Sequence, residues 1–179
     1  MAAREAPREA PREAPREAID AKKILCGGVV SGLIAGAVFD LFMLLMSLAR
    51  EQDIWVGIKT AGTPLFGTRA AAPDFDAVAV LGGLLGHFLV STVWGVLFGF
   101  IAHGASRAAT VVLGVGFGLV AWLVMFYLLL PVIGMPAQAA TAPMGPTIVA
   151  HLLFGLSLGV TFLPYQRTGQ IPLGRTLGT

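Results

Sequence analysis

Charge is scarce in this chain. Only 12% of its 179 residues are Asp, Glu, Lys or Arg, against about a quarter in ordinary soluble domains. By contrast, 56% are hydrophobic and the mean hydropathy is +0.80. A soluble fold of this size cannot hide so much apolar surface, whereas a bilayer can. There is one cysteine, Cys26, which rules out an intramolecular disulfide and a cysteine-based zinc cluster. Cys26 is expected to act as a small apolar residue at a membrane boundary. The sequence also lacks a nucleophile elbow, a Walker loop and an HExxH helix. The net charge is only +2, without basic residues interleaved with aromatics, so no nucleic-acid partner is expected. Segments of about ten residues with alternating apolar and polar character are absent, which leaves helices as the spanning structure.

What is present is a set of long apolar runs. Four of them, about 24–48, 77–102, 108–133 and 147–163, each approach or exceed the roughly 20 residues that a helix needs to cross a hydrocarbon core of about 30 Å. The expected fold is all-α: an integral membrane four-helix bundle over residues 24–164, with the lipid bilayer as its surroundings. Ser47-Leu48-Ala49 resembles a signal-peptidase site, but the run before it exceeds the 7–15 residues (roughly) of a signal core, so it reads as a retained span.

Residues 1–23 open with a strict REAP repeat. A proline every fourth residue removes a helical donor each turn, and the apolar content is low, so this segment is expected to be a disordered tail. Residues 165–179 form a second tail. Arg4, Arg8, Arg12, Arg16, Lys22, Lys23, Arg107, Arg167 and Arg175 fall on one side of the four spans, and only Arg50, Lys59 and Arg69 on the other. The positive-inside rule then places both termini in the cytoplasm, as in a bacterial inner membrane. Trp55 and Tyr165 suit the interfaces. The turn His103–Arg107 is so short that the second and third spans are expected to be antiparallel neighbours.

Residues four apart share a helix face. The first span thus presents Gly28, Gly32, Gly36 and Asp40, and the second Gly83, His87, Ser91, Gly95, Gly99 and His103. The third presents Thr110, Gly114, Gly118 and Trp122, and the fourth Thr147, His151, Gly155 and Gly159. Faces of small residues let helices approach closely in lipid. The stripes also pair: His87-x3-Ser91-x3-Gly95 with His151-x3-Gly155-x3-Gly159, and Gly32-x3-Gly36-x3-Asp40 with Gly114-x3-Gly118-x3-Trp122. This pattern suggests two parallel helical-hairpin repeats.

Asp40 is the sole carboxylate inside a span. At the usual rise it lies roughly 12 Å below the outer end of its helix, and His87 roughly 15 Å below the start of the next, so the two reach similar depth. Such groups mark ion paths, proton relays or ligand sites, or else bond helices together. The intramembrane polar residues of interest are therefore Asp40, His87, Ser91 and His151. His87 and His151, each followed by small residues, also raise the alternative of bis-histidine ligation of haem b. His103 is too far along its helix to join them, by roughly 24 Å.

The stretches HFLVSTVWG and HLLFGLSLG resemble the His-x3-small-x3-Gly helices of small bacterial inner-membrane proteins of the YagU type. The resemblance implies a multi-helix membrane fold and assigns no activity. The leading expectation is a non-enzymatic bundle or accessory subunit with a polar intramembrane site, alone or in a homodimer or larger membrane complex. The alternatives are a small solute or proton transporter acting as a dimer and a haem-b electron-transfer subunit.

Overall fold

The computed structural model describes residues 21–166. The REAP repeat and the residues after Gln166 lie outside the described part. Four long helices form the bundle: α1 (Ala21–Ala49), α5 (Ala77–Ala102), α6 (Arg107–Val124) and α9 (Met144–Phe162). Between α1 and α5 the chain folds into three short helices, α2 (Ile54–Thr60), α3 (Thr63–Phe66) and α4 (Thr68–Ala71). After α6 the helix widens into a π turn over Met125–Leu129 and resumes as α7 (Leu130–Val132), followed by α8 (Pro136–Thr141). Pro131 cannot donate into the ladder, and Leu130 N–H bonds back to Met125 O, so the distortion sits beside the proline. A 3-10 turn, Leu163–Tyr165, ends the described chain.

Two of the long helices, α5 and α6, begin at side-chain caps. The Asp76 carboxylate accepts from Val78 N at 3.0 Å and Ala79 N at 3.1 Å, capping α5. Ser106 Oγ accepts from Ala109 N at 3.2 Å and caps α6. Side-chain oxygens at this position satisfy amides that the first turn leaves unpaired. Gly104 makes the turn between α5 and α6 with φ +87°, a conformation open mainly to glycine.

The helices are packed at very different spacings. α1 lies along α5 with glycines at the seam. A methyl built on Gly28 would stand 2.6 Å from Val96 Cα, and one on Gly32 2.9 Å from Thr92 Cα. α6 lies along α9 in the same way: a methyl on Gly155 would stand 2.8 Å from Gly118 Cα, and one on Gly114 2.9 Å from Gly159 Cα. α1 also packs on α9, burying Ala35, Phe98, Phe154, Leu158 and Phe162 in one core cluster. α5 and α6 are antiparallel, but they touch little beyond their shared turn. Trp94 and Phe98 on α5 meet Phe117 on α6 with ring centroids 5.5 and 5.4 Å apart. The expected neighbours are thus joined by rings rather than by close backbones, because α5 and α6 turn their glycine faces to α1 and α9.

One end of the bundle gathers the start of α1, the end of α5, the start of α6 and the end of α9. Gln166 Nε2 donates to Ala102 O at 3.2 Å and to Thr110 Oγ1, and a methyl on Gly27 would stand 2.6 Å from Tyr165 Cβ. The outward faces are apolar. Leu81, Leu85, Leu89, Val93 and Leu97 form a ridge along α5, with Leu85 73% accessible. Cys26 is likewise exposed rather than buried. So large an exposed apolar surface requires a covering. The four long helices are long and apolar enough to cross a membrane, and the chain reads as a membrane protein with an all-α four-helix bundle.

Candidate functional site

Asp40 on α1 and His87 on α5 meet across the glycine seam. Asp40 Oδ1 lies 3.5 Å from His87 Nε2. The same nitrogen stands 3.3 Å from Gly36 O and 3.3 Å from Ser91 Oγ. A carbonyl oxygen only accepts, so Nε2 of His87 carries a proton in this arrangement. Gly36 allows the approach: a methyl there would stand 2.8 Å from Ser91 Oγ. Among the described residues Asp40 Oδ2 is buried without a hydrogen-bond partner. Both side chains keep about a fifth of their surface accessible, 22% for Asp40 and 20% for His87.

His151 belongs to a neighbouring polar cluster. Its Nδ1 donates to Thr147 O at 2.8 Å, one turn earlier on α9. Thr147 Oγ1 in turn accepts from Trp122 Nε1 at 3.3 Å. The aromatic ring of Phe39 links the two clusters, with its centroid 5.1 Å from that of His87 and 4.9 Å from that of His151. The structure therefore places Asp40, His87 and Ser91 together, and sets His151 beside them across the ring of Phe39. His103 lies apart, at the end of α5, and neither of its ring nitrogens has a partner among the described residues. Phe39, Trp122 and Thr147 give the region its shape. Of these, Trp122 and Thr147 were visible in the stripes and Phe39 was not.

A cleft of about 260 Å³ opens beside this second cluster, lined by Trp122, Phe126, Tyr127, Met144 and Thr147 with alanines of α8. The π turn brings Phe126 and Tyr127 onto its wall, and Phe126 also reaches His151, centroid to centroid 6.0 Å.

Haem b does not fit these residues. Phe39 lies against both imidazoles where a macrocycle would need room. The glycines that were to provide that room, Gly95, Gly155 and Gly159, are closed by the backbones of α1 and α6. Among the described residues no group of three or more His, Cys, Asp or Glu comes together to hold a metal ion.

The segment between α1 and α5 is charged and tightly tied. Arg69 pairs with Asp76, with a second contact from Nη2 to Oδ1 at 3.0 Å. That pairing holds the Asp76 carboxyl down to about 2, first through the hydrogen bond from Arg69 and next through the Ala79 amide. Asp53 also lies below the ordinary carboxylate range, mainly because its carboxylate accepts from the Trp55 amide. Trp55 packs on Phe75 with centroids 4.8 Å apart.

Residues 23–172 match a protein family described as a family of unknown function, DUF6789. The chain belongs to this family. The match takes in α5, α6, α9, nearly all of α1 and the segment between α1 and α5, and leaves out the REAP repeat. It shows no link to the YagU-type proteins. No curated protein and no solved structure matches the chain. Membership of the family thus brings no substrate or partner with it, and any role must be argued from the residues.

Proposed function

We propose that the protein is a non-enzymatic four-span membrane bundle that serves as an accessory subunit, with Asp40 and His87 as its intramembrane polar site. The observation that carries this reading is the 3.5 Å contact between Asp40 Oδ1 and His87 Nε2 across the α1–α5 seam. A carboxylic group inside a span disfavours insertion by about 2.5–3.5 kcal/mol, and a partner on the next helix offsets part of that cost. The close glycine seams are the second support, since small faces allow packing where lipid supplies no hydrophobic drive between helices. The distribution of Lys and Arg favours both termini in the cytoplasm, and a bacterial inner membrane belongs to the proposal through the YagU-type likeness. The His-x3-small-x3-Gly pattern keeps the likeness to YagU-type proteins within this proposal.

A second reading is a proton or small-solute carrier acting as a dimer. Its supporting observation is Asp40 Oδ2, which is buried and unpartnered among the described residues. Intramembrane ionisable groups with spare bonding capacity are typical of relays. Two substitutions separate the readings. In a structural pair, Asp40→Asn keeps fold and complementation of a deletion strain, because an amide still bonds. Asp40→Leu then lowers stability by about 0.6 kcal/mol, an average interhelical bond. A folded Asp40→Asn protein that fails to complement overturns the structural reading and favours the carrier.

A further inference from the structure

The outer segment holds a buried cation that the Asp40–His87 site does not use. Lys59 on α2 is 0% accessible, which is rare for lysine without partners. Its ammonium donates to the carbonyl oxygens of Ala72 and Asp74, the latter at 2.7 Å. Asp53 supplies a nearby negative charge, and that carboxylate also accepts from Trp55 N at 2.8 Å and Asp74 N at 2.7 Å. The start of α2, its end and the return segment 72–74 are therefore tied around one ammonium. A buried charge left without such partners is strongly unfavourable, so the contacts form and break as a set.

These ties hold the segment down on α5 just outward of the polar pair. A methyl on Gly83 would stand 3.0 Å from Lys59 Cα, and one on Gly86 3.2 Å from Ala61 O. Gly83 lies one turn before His87, and Gly86 directly precedes it. On the α1 side, a methyl on Gly57 would reach Ser47 Oγ at 4.0 Å, two turns outward of Asp40. The segment thus bridges the outer ends of the two helices that carry the pair.

We infer that Lys59 is a latch that holds residues 54–76 closed over the outward side of the Asp40–His87 site and so sets its access to water. The inference deepens the polar-site reading and rests on it. In physical terms the cap is a local opening unit whose stability is set by a few polar ties, separate from the glycine seams beneath.

Access is read with a cysteine reporter in the full chain, purified in mild detergent, with Cys26→Ser as background. Ser91→Cys places the thiol beside His87, at a position 3% accessible. The probe is a charged methanethiosulfonate. Adding Lys59→Met is expected to raise the labelling rate of this reporter by about ten-fold or more. A control thiol, Leu158→Cys in the fully buried core, is expected to stay unlabelled in both backgrounds. Equal rates at Ser91→Cys with and without Lys59→Met overturn the latch. A parallel rise at Leu158→Cys also overturns it, since Lys59 would then support the whole bundle rather than a cap. These rates do not depend on the phenotype of Asp40 variants. A latch that fails while Asp40→Leu is destabilised leaves the polar site standing. A latch that holds while Asp40→Leu changes nothing leaves a cap over a pair without a role.

Discussion

Gly95 and Gly32 meet backbone to backbone: a methyl on Gly95 would stand 2.6 Å from Gly32 Cα. No flexible side chain is there to yield. Gly95→Leu is expected to cost about 1–3 kcal/mol or more through overpacking. Gly155→Leu is expected to do the same in the α6–α9 hairpin, where Gly118 Cα is the obstacle. Gly116 on α6 has open space around it. Gly116→Ala is therefore expected to stabilise by about 0.4–1 kcal/mol by restricting the unfolded chain. Thermal unfolding in detergent checks all three, and a neutral Gly95→Leu would mean that the seam is not closed at that point.

Acid is expected to loosen the segment between α1 and α5, whose carboxylates are held below their ordinary range. Asp76 titrates at about 2 in the folded chain, below its ordinary 3.8. A depressed carboxylate contributes stability that is present above its unfolded pKa and is lost as the pH falls through the folded one. Asp53 shifts in the same direction. Trp55 fluorescence is expected to stay constant down to about pH 5 and to change between about pH 4 and pH 2. Arg69→Ala is expected to move that change toward the upper end of the window. A change centred near neutral pH would contradict the assignment.

Reporter fusions test the orientation. Fusions after Ala18 and after Thr179 are expected to read cytoplasmic, and one near Gly67 external. A periplasmic C-terminus would overturn the arrangement of an even number of spans with both ends inside.

Protein expressed with haem supplied is expected to be colourless after purification. The visible spectrum decides this directly. A Soret band lost in both His87→Ala and His151→Ala would show that Phe39 moves aside and that the fit argued above is wrong.

Long apolar runs made the four helices legible, because roughly 20 such residues have few other solutions. Their ends were less so. α1 already includes Ala21, Lys22 and Lys23, ahead of Ile24, while α9 begins at Met144 because Pro146 is tolerated in a first turn. Helices of seven and four residues in the segment between α1 and α5 are too short to leave a periodic signal. Asp40 and His87 were placed at one depth by counting rise per residue. Phe39 was not foreseen, because which ring fills the space between two helices is decided by packing. Lys59 was hidden for a different reason. Its acceptors lie 13 and 15 residues away in irregular chain, and no spacing rule reaches them.

The unequal seams also settle how the bundle yields to force. Within each hairpin, peptide planes rest on one another, and sliding them would drive main-chain atoms into contact. α5 and α6 share a glycine-hinged turn and a few rings, which exchange one set of weak contacts for another at small cost. With α1 and α9 packed as a spine, the protein is built like a door: α5 and α6 are its free edges. The two helices are therefore expected to part from each other more readily than either parts from its glycine-packed partner.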